Sequence, residues 1–319
     1  MPDPVDRVPD HEFYPPPTRR RRKPEDLVSV AKSPAAARAA RDESFPVANQ
    51  VAESKLRQSV EALAAFPTRH TASAHLPDVA KWIEDQFRGL GYAAVSTFPY
   101  TRQCVALNLM NVVCRKPGTS ATAPVRLVCA HFDCIMEQHS NSTARAPGAN
   151  DNGSGIAVLL ELARLLEPLA LEDAVEFLAT SGEEQGLWGA TAYAAHVQSN
   201  GTNLKFVLNL DEVGFPNPGR DVILERDLGN VVPTNDLPSQ QLAAAVAQLA
   251  TDELSIPIKL GPIERSDYMP FERRGYVAIG LYESGDYSEF YHTSRDTPDR
   301  VDFAYVADVT RVALLALVR

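Results

Sequence analysis

Hydrophobic and polar positions follow two different periods along this chain. Between residues 76 and 92, apolar side chains recur every three or four positions, which predicts an amphipathic helix ended by Gly91. Residues 155–169 are apolar almost all round and predict a fully buried helix. The short apolar runs 125–133 and 175–179 instead predict strands. Helical and extended segments are therefore both expected, and they alternate.

The same alternation continues to the C-terminus. Further helices are predicted at 51–66, 187–197, 238–255 and from 303 onward. Further strands are predicted at 111–117, 204–211, 222–225 and 277–283. Strands that alternate with helices predict an α/β sandwich over a largely parallel sheet. Because no linker interrupts this pattern, we expect residues 46–319 to form one domain.

The first 45 residues lack any sustained period and are rich in proline, arginine, alanine and charge. That composition predicts a disordered tail over residues 1–45. The basic run from Arg19 to Lys23 is either a targeting or membrane-surface patch or simply part of a solvated tail. The start of the chain has no apolar leader segment, so we expect a cytoplasmic protein, or a secreted one if a leader has been removed.

Composition mainly excludes certain partners and classes of protein. A chain of 319 residues that is 45% hydrophobic can bury a sizeable core. The formal net charge of -10 argues against a nucleic-acid partner, which needs a basic surface. No stretch reaches the ~18 consecutive apolar residues of a membrane span. The four cysteines lack zinc-ribbon spacing and are expected to be buried thiols, with a Cys104–Cys114 or Cys129–Cys134 bridge only in an oxidising compartment.

Acidic and imidazole side chains stand where the predicted strands end. In parallel sheets, functional groups collect beyond the carboxyl ends of the strands. The residues at these ends are His131 with Asp133, Asp151, the pair Glu183 and Glu184, Asp211, and His292. Any one of them has an ordinary explanation, and Asp151 alone could cap the following helix. Three carboxylates brought together in a partly dry cleft, however, repel one another unless a cation is bound.

The types of side chain at these ends indicate a metal centre. Two imidazoles and three carboxylates suit zinc or a similar divalent ion. Two ions fit better than one, because each can take one histidine and one acid while Asp151 bridges them. Asp133 follows His131 by two residues on extended chain, so both side chains point the same way. Asp133 is therefore expected to accept the ring N–H of a metal-bound His131.

Six motifs carry a resemblance to a known family. In order, they are AHFD, PGANDNGSG, TSGEEQGLWGA, NLDEVG, RSDYMPF and YHTSRDTPD. Together they resemble the co-catalytic dizinc aminopeptidases of the bacterial leucyl aminopeptidase type, with carboxypeptidase Q, glutamate carboxypeptidase and the glutaminyl cyclases as more distant relatives. The resemblance runs from Val47 to the C-terminus. It implies a three-layer α/β sandwich with a central mixed, mostly parallel sheet flanked by helices, in a monomer.

The resemblance also implies a role for each site residue. It assigns His131 and Glu184 to one zinc ion and Asp211 and His292 to the other. Asp151 bridges the two ions, so two Zn²⁺ are expected per chain. Glu183 is the general base, and Asp133 orients His131. The implied activity is that of a zinc-dependent aminopeptidase, a metallo-exopeptidase that hydrolyses the N-terminal peptide bond of peptides with a free N-terminus.

Two positions depart from the family pattern. Tyr268 stands where the family commonly has histidine, and it is either a hydrogen-bond donor to the oxyanion or a core residue. Glu212 stands where the family usually has an apolar residue, and it should face away from Asp211 if the strand continues. The aromatic residues near His292 are Tyr282, Phe290 and Tyr291. They either line a pocket for an apolar N-terminal side chain or pack in the core.

Two other functions remain open at this point. A glutaminyl cyclase-like acyltransferase would use a single zinc ion held by Asp151, Glu184 and His292. The presence of His131 and of the stretch 150–153 argues against it. A catalytically silent, receptor-like binding domain would have lost metal ligands, and here all five expected ligands are present.

Overall fold

The computed structural model describes residues 6–7, 24–33, 46–102, 105–136, 141–229, 231–285 and 289–319. Its strands are β1 (Asp6–Arg7), β2 (Val28–Ser29), β3 (Val95–Arg102), β4 (Val105–Lys116), β5 (Val125–His131), β6 (Ala174–Thr180), β7 (Leu204–Leu210), β8 (Val222–Arg226), β9 (Ile258–Pro262) and β10 (Ala278–Tyr282). Its α-helices are α1 (Glu53–Ala64), α2 (Leu76–Gly89), α3 (Gly153–Leu166), α4 (Trp188–Ser199), α5 (Pro233–Leu249), α6 (Met269–Glu272) and α7 (Phe303–Val318).

The ten strands of the described residues form one sheet, in the order β1-β3-β4-β6-β5-β7-β10-β8-β9-β2. The central strands β6, β5, β7 and β10 are parallel to their neighbours in this block. Antiparallel pairs flank the block, at β4 with β6 and at β10 with β8. The predicted α/β fold with a mixed, mostly parallel sheet is thus confirmed.

Helices cover both faces of the sheet. Every residue of β5 and β6 is buried, as expected for strands that are packed on two sides. Val128 and Ala130 point into the larger core, to which α1, α2, α3, α5 and α7 contribute. Leu127 and Cys129 point into the smaller core, with α4 and α6. The sheet is therefore the middle layer of a three-layer sandwich.

The strongly periodic elements lie where the sequence predicts them. The helix α2 buries Val79, Ile83 and Phe87, and Gly91 follows its end with φ +101. The helix α3 is buried along almost its whole length. The helix α5 begins at Pro233, earlier than expected, and Pro238, the expected first residue, lies inside it. A proline is tolerated at the first position, because its missing N–H would have no partner in the helix there.

Strands β3 and β9 have no counterpart in the prediction. In β3 only Val95 and Tyr100 are buried, and Pro99 interrupts the run. This strand is therefore half exposed, and its alternation is too weak to distinguish it from a loop. The strand β9 has five residues and contains a glycine, so it offers little extended period.

Residues 24–33, within the predicted tail of residues 1–45, lie against the edge of the sheet. There, β2 pairs antiparallel with β9, and the amide of Val30 donates to the carbonyl of Ile258 at 3.1 Å. Asp6–Arg7 pair with β3 at the opposite edge of the sheet. Backbone pairing with a sheet edge needs no side-chain periodicity, so composition alone did not reveal it. The basic run Arg19–Lys23 lies outside the described residues.

The cysteines of the described ranges behave as small buried side chains. Cys114, Cys129 and Cys134 are free thiols, as expected. Burial raises the pKa of Cys134 to about 11, so it is protonated at neutral pH. Cys104 lies outside the described residues. Among the helices that the structure describes, none has the length and apolar character needed to cross a membrane.

Candidate active site

Three adjacent strands deliver their end residues to one place. His131 is the last residue of β5, and Asp211 directly follows β7 on one side of it. Glu183 and Glu184 lie in the turn after β6 on the other side. All but Asp211 are at least 98% buried. The order of strands in the sheet therefore gathers acidic and imidazole groups at its carboxyl edge.

The loop before α3 contributes Asp151. The N-terminus of α3 is capped by the neighbouring residue Asn152, whose side-chain oxygen accepts the Gly155 N–H at 2.9 Å. The Asn152 amide also donates to the carbonyl of Leu210 at 2.8 Å, which ties this loop to the end of β7. Asp151 is therefore not the helix cap, and its carboxylate points to the imidazoles.

His292 completes the cluster from the loop beyond β10. Its Nε2 lies 2.9 Å from Glu184 Oε2. The Tyr291 ring stacks on its imidazole, with centroids 3.6 Å apart. The backbone of His292 has φ +53, a left-handed conformation that is strained for a residue with a Cβ. Contacts around this loop must therefore hold it in place.

The closest contacts group the predicted ligands into two imidazole–carboxylate pairs. His131 Nε2 lies 3.2 Å from Asp211 Oδ1, and His292 lies next to Glu184 rather than Asp211. Asp151 stands between the two pairs, with Oδ1 at 3.3 Å from His131 Nε2 and Oδ2 at 3.1 Å from His292 Nε2. β5 lies between β6 and β7, so strand order brings Asp211 and the glutamate turn to either side of His131, and the closest contact is the one to Asp211.

The crowding of acids around two imidazoles shifts their ionisation. Burial alone lowers the pKa of His292, but Glu184 and Asp151 outweigh it and raise this pKa to about 11. The pKa of His131 is raised well above its usual value, because Glu183 and Asp211 oppose the effect of burial. Burial raises the pKa of Glu184 to about 7. The cluster therefore favours positive charge at its centre.

The donor set fits a divalent cation. Two groups present ligand atoms within 4.8 Å of one another: His131, Asp151 and Glu184, and His131, Glu183 and Asp211. Glu184 Oε1 is buried and accepts no hydrogen bond from any residue in the described ranges. A buried carboxylate oxygen without a partner is costly, and a cation would remove that cost. Imidazole nitrogen and carboxylate oxygen are the donors that zinc prefers alongside thiolate.

Asp133 contacts both His131 and the turn that carries the two glutamates. The nearest partner of His131 Nδ1 is the backbone carbonyl of Asp133 at 3.1 Å, while the carboxylate lies 3.6 Å away. The carboxylate instead accepts the backbone N–H groups of Glu183 and Glu184, each at 3.3 Å. It also accepts the Thr71 hydroxyl at 3.0 Å. Asp133 thus holds the turn that carries both glutamates.

Arg69 is a site-building residue that the sequence did not indicate. Its fully buried guanidinium donates to the carbonyls of Phe132, Pro147 and Gly148 at 2.6–2.8 Å. These bonds join the end of β5 to the loop that carries Asp151. A single arginine in a loop has no period or spacing to mark it, and only its complete burial reveals the role.

A hydrogen-bond chain supports Asp211 from behind. The Ser266 hydroxyl donates to Asp211 Oδ2 at 2.7 Å and accepts the Asn209 side-chain amide at 2.9 Å. The next residue, Asp267, accepts the Thr180 hydroxyl and is fully buried. Burial raises the pKa of Asp267 to about 7. The motif around Ser266 therefore contacts the site through Asp211.

The two departures from the family pattern have clear positions. Tyr268 is fully buried in the smaller core, and its hydroxyl accepts the Glu264 N–H at 2.6 Å, so the core alternative describes its position. The strand does not continue through Glu212, because β7 ends at Leu210 and Glu212 has φ +45. The Glu212 carboxylate accepts the Tyr282 hydroxyl at 2.7 Å. Asp211 lies beside the His131 imidazole.

The aromatic residues near His292 divide between two settings. Tyr291 stacks on the imidazole and belongs to the site. Phe290 packs edge-on against Phe215, with ring centroids 6.4 Å apart, and Arg300 lies over its ring. A pocket for an apolar N-terminal side chain stays a prediction.

Comparison with known proteins gives a family and several relatives. The profile of peptidase family M28 matches residues 111–317. A probable zinc metalloprotease of Leptosphaeria maculans is 27% identical over 84% of this chain and 74% of its own length. A probable leucine aminopeptidase of Arthroderma otae is 29% identical over 84% of this chain and 72% of its own.

Solved structures share the fold. The LapA aminopeptidase of Legionella pneumophila superposes with a TM-score of 0.73 at 20% identity, covering 85% of this chain and 72% of that one. A glutaminyl cyclase of Bacteroides thetaiotaomicron superposes with a TM-score of 0.69 at 16% identity, covering 84% and 97%. Since the family profile spans more than half of the sequence and includes every residue of the cluster, the chain belongs to peptidase family M28.

Proposed function

We propose that this M28 peptidase is a zinc-dependent aminopeptidase that removes N-terminal residues from peptides with the help of two zinc ions. The observation that supports it most is the arrangement of two imidazole–carboxylate pairs on either side of Asp151. Relatives named as probable zinc metalloproteases and probable leucine aminopeptidases support the metal and the substrate class.

In this proposal the five ligands divide as the contacts do. His131 and Asp211 would hold one ion, Glu184 and His292 would hold the other, and Asp151, which lies between the two pairs, would serve both. When bound, two zinc ions supply Lewis acidity to the scissile carbonyl and lower the pKa of water to near neutrality. The chain itself contributes ligands, a fixed spacing and exclusion of bulk solvent.

Glu183 is the proposed proton carrier. Its carboxylate is 2% exposed, and burial together with Asp211 and Glu184 raises its pKa well above the usual value, against the opposing effect of His131. A base of this kind accepts a proton from water and later donates it to the leaving amine. Asp133 holds the backbone of Glu183 and Glu184 together, so the proton carrier and a metal ligand share one support.

The acidic surroundings also bear on the substrate. A peptide with a free N-terminus carries an ammonium group, which carboxylates attract. A blocked N-terminus lacks that charge. Peptides with free N-termini are therefore the proposed substrates.

Two glutamine substitutions test the proposal. Glu183→Gln should keep both zinc ions and lower kcat on aminoacyl anilides by about 10²–10⁴-fold, because only the proton carrier is removed. Glu184→Gln should lower zinc retention. Glu61→Gln, at an exposed position on α1, is the matched control for the same chemical change. Full activity of the first variant, or unchanged zinc content of the second, would contradict the assigned roles.

A substrate panel tests the exopeptidase class separately. Free and N-blocked forms of the same peptides should be compared, with bound zinc counted in the same sample. Cleavage of blocked peptides as fast as free ones would overturn the aminopeptidase assignment.

The fold shared with a glutaminyl cyclase favours one second candidate. In it, Asp151, Glu184 and His292 would hold a single zinc ion, and the structure does bring these three together. One tightly bound zinc per chain, together with cyclisation of N-terminal glutaminyl peptides, would favour this candidate over the peptidase.

A further inference from the structure

Asp296 connects two loops of the candidate metal centre. Its Oδ1 accepts the Asn150 N–H at 2.9 Å, and its Oδ2 accepts the Asp151 N–H at 3.0 Å. Its backbone carbonyl accepts the Ala149 N–H at 3.2 Å. The residue is only 3% exposed. Three successive amides of the Asp151 loop therefore bond to one aspartate.

The same aspartate ends the turn that carries His292. The amide of Thr293 donates to Phe290 at 3.1 Å, and the amide of Asp296 donates to Thr293 at 3.2 Å. These bonds fold the segment from His292 to Asp296 into a compact turn. His292 therefore lies close to the residue that attaches this turn to the Asp151 loop. The strained backbone of His292, with φ +53, needs such an attachment.

A parallel arrangement supports the other half of the site. Asp133 accepts two successive backbone N–H groups from Glu183 and Glu184, as Asp296 does from Asn150 and Asp151. Each buried carboxylate thus fixes the backbone of a segment that presents an acid to the imidazoles.

We propose that Asp296 is a positioning residue that sets the spacing of Asp151 and His292, and thereby the affinity of the zinc position that these two form with Glu184. This inference rests on the proposed function for the identity of the ion. Asp151 Oδ2 and His292 Nε2 lie 3.1 Å apart, and Asp296 bonds directly to one loop and terminates the other. A site held in place before the metal arrives loses less conformational freedom on binding it.

Asp296 acts through other residues rather than as a ligand. Both of its carboxylate oxygens accept backbone amides, and it is in neither of the groups whose donor atoms converge. An asparagine at this position can accept only one of the two amides, because its nitrogen is itself a donor.

The test compares Asp296→Asn with Asp299→Asn, an exposed aspartate three residues further on that undergoes the same chemical change. Stepwise zinc affinities are measured by competition with a chelator on the full chain. For Asp296→Asn, one zinc dissociation constant should rise by about 10–100-fold, as for other residues that support metal ligands. The control should keep both constants. Excess free zinc should restore kcat of Asp296→Asn with KM unchanged.

A second variant and a fold measurement separate positioning from simple destabilisation. Asp296→Glu keeps the charge and both acceptors but displaces them by one methylene, so it should weaken the same zinc step. Near-UV circular dichroism of the metal-free variants should match that of the wild type. Wild-type zinc affinities in both variants, failure of both to fold, or kcat that excess zinc does not restore would each overturn the proposal.

The comparison of zinc affinities does not depend on peptide hydrolysis. A wild-type protein that binds zinc but cleaves no peptide would end the aminopeptidase assignment and leave this comparison valid. If the wild type binds a single zinc ion, the same affinity loss should appear at that one site.

Discussion

Adjacent residues take different positions in this site. The Glu184 carboxylate contacts His292 and is grouped with His131 and Asp151, while Glu183 is grouped with His131 and Asp211. Neighbouring side chains diverge on leaving a strand, so a pair of glutamates can face two parts of one cluster. Asp133 binds the backbone of both and makes the turn a single unit.

That shared support leads to a prediction for Asp133→Asn. The amide nitrogen cannot accept a backbone N–H, so Glu183 and Glu184 should lose their fixed positions together. We expect kcat to fall and the zinc dissociation constant to rise, each by about 10–100-fold. Both quantities are measured on one preparation, with the exposed Asp78→Asn as control. A fall in kcat with unchanged zinc affinity would show that Asp133 does not support Glu184.

At the scale of elements, the first turns of two helices pack closely against neighbouring segments of the chain. A Cβ at Gly155 would overlap Asn152 Oδ1 and lie 2.7 Å from the carbonyl of Leu210. A Cβ at Gly189 would overlap Asn111 Oδ1 and the carbonyl of Ser181. The helices α3 and α4 therefore start tightly against the strand ends that carry the site. Side-chain bulk at either point displaces the loops before the helices.

Gly155→Ala tests this packing. Alanine normally stabilises a helix relative to glycine by about 0.5–1 kcal/mol. Here the new methyl group should push Asn152 from its cap and destabilise the fold by about 1–3 kcal/mol. Gly89→Ala in α2 is the control, because a Cβ there meets no atom within 4 Å. Urea unfolding should show opposite signs for the two variants, and a stabilised Gly155→Ala would contradict the close approach.

At the scale of the whole molecule, a second acidic pair lies away from the metal cluster. Asp227 follows β8, and Glu272 ends α6; both are fully buried. Burial, and then the charge of Asp227, raises the pKa of Glu272 from 4.5 to about 7. The folded protein therefore holds a proton here that the unfolded chain releases above its ordinary pKa.

This pair predicts a pH dependence of stability. The contribution of Glu272 is fully present below pH 4.5 and is lost as pH rises through about 7. Glu272→Gln stays neutral, so its melting temperature should fall less than that of the wild type between pH 5 and 8. Glu61→Gln, at an exposed position, should follow the wild type. Parallel pH profiles for wild type and Glu272→Gln would rule out this origin.

The sequence by itself determined the strongly periodic elements and the chemical types at the strand ends. The helices α2 and α3 and the strands β5 and β6 could be predicted, because burial on one or both faces leaves a local period of apolar residues. The set of acids and imidazoles was also local information, since each follows its strand directly. Their roles as ligands stay a prediction.

Only the tertiary structure decided which of these groups meet and what supports them. Strand order brings Asp211 and Glu184 to either side of His131, and the loop beyond β10 brings His292 to Glu184. Arg69 and Asp296 bond to backbone groups far away in sequence, and β2 adds to a sheet edge through its own backbone. Such contacts leave no period in the chain, because a backbone amide or carbonyl is the same at every residue. Their partners exist only once the strands are arranged in the sheet.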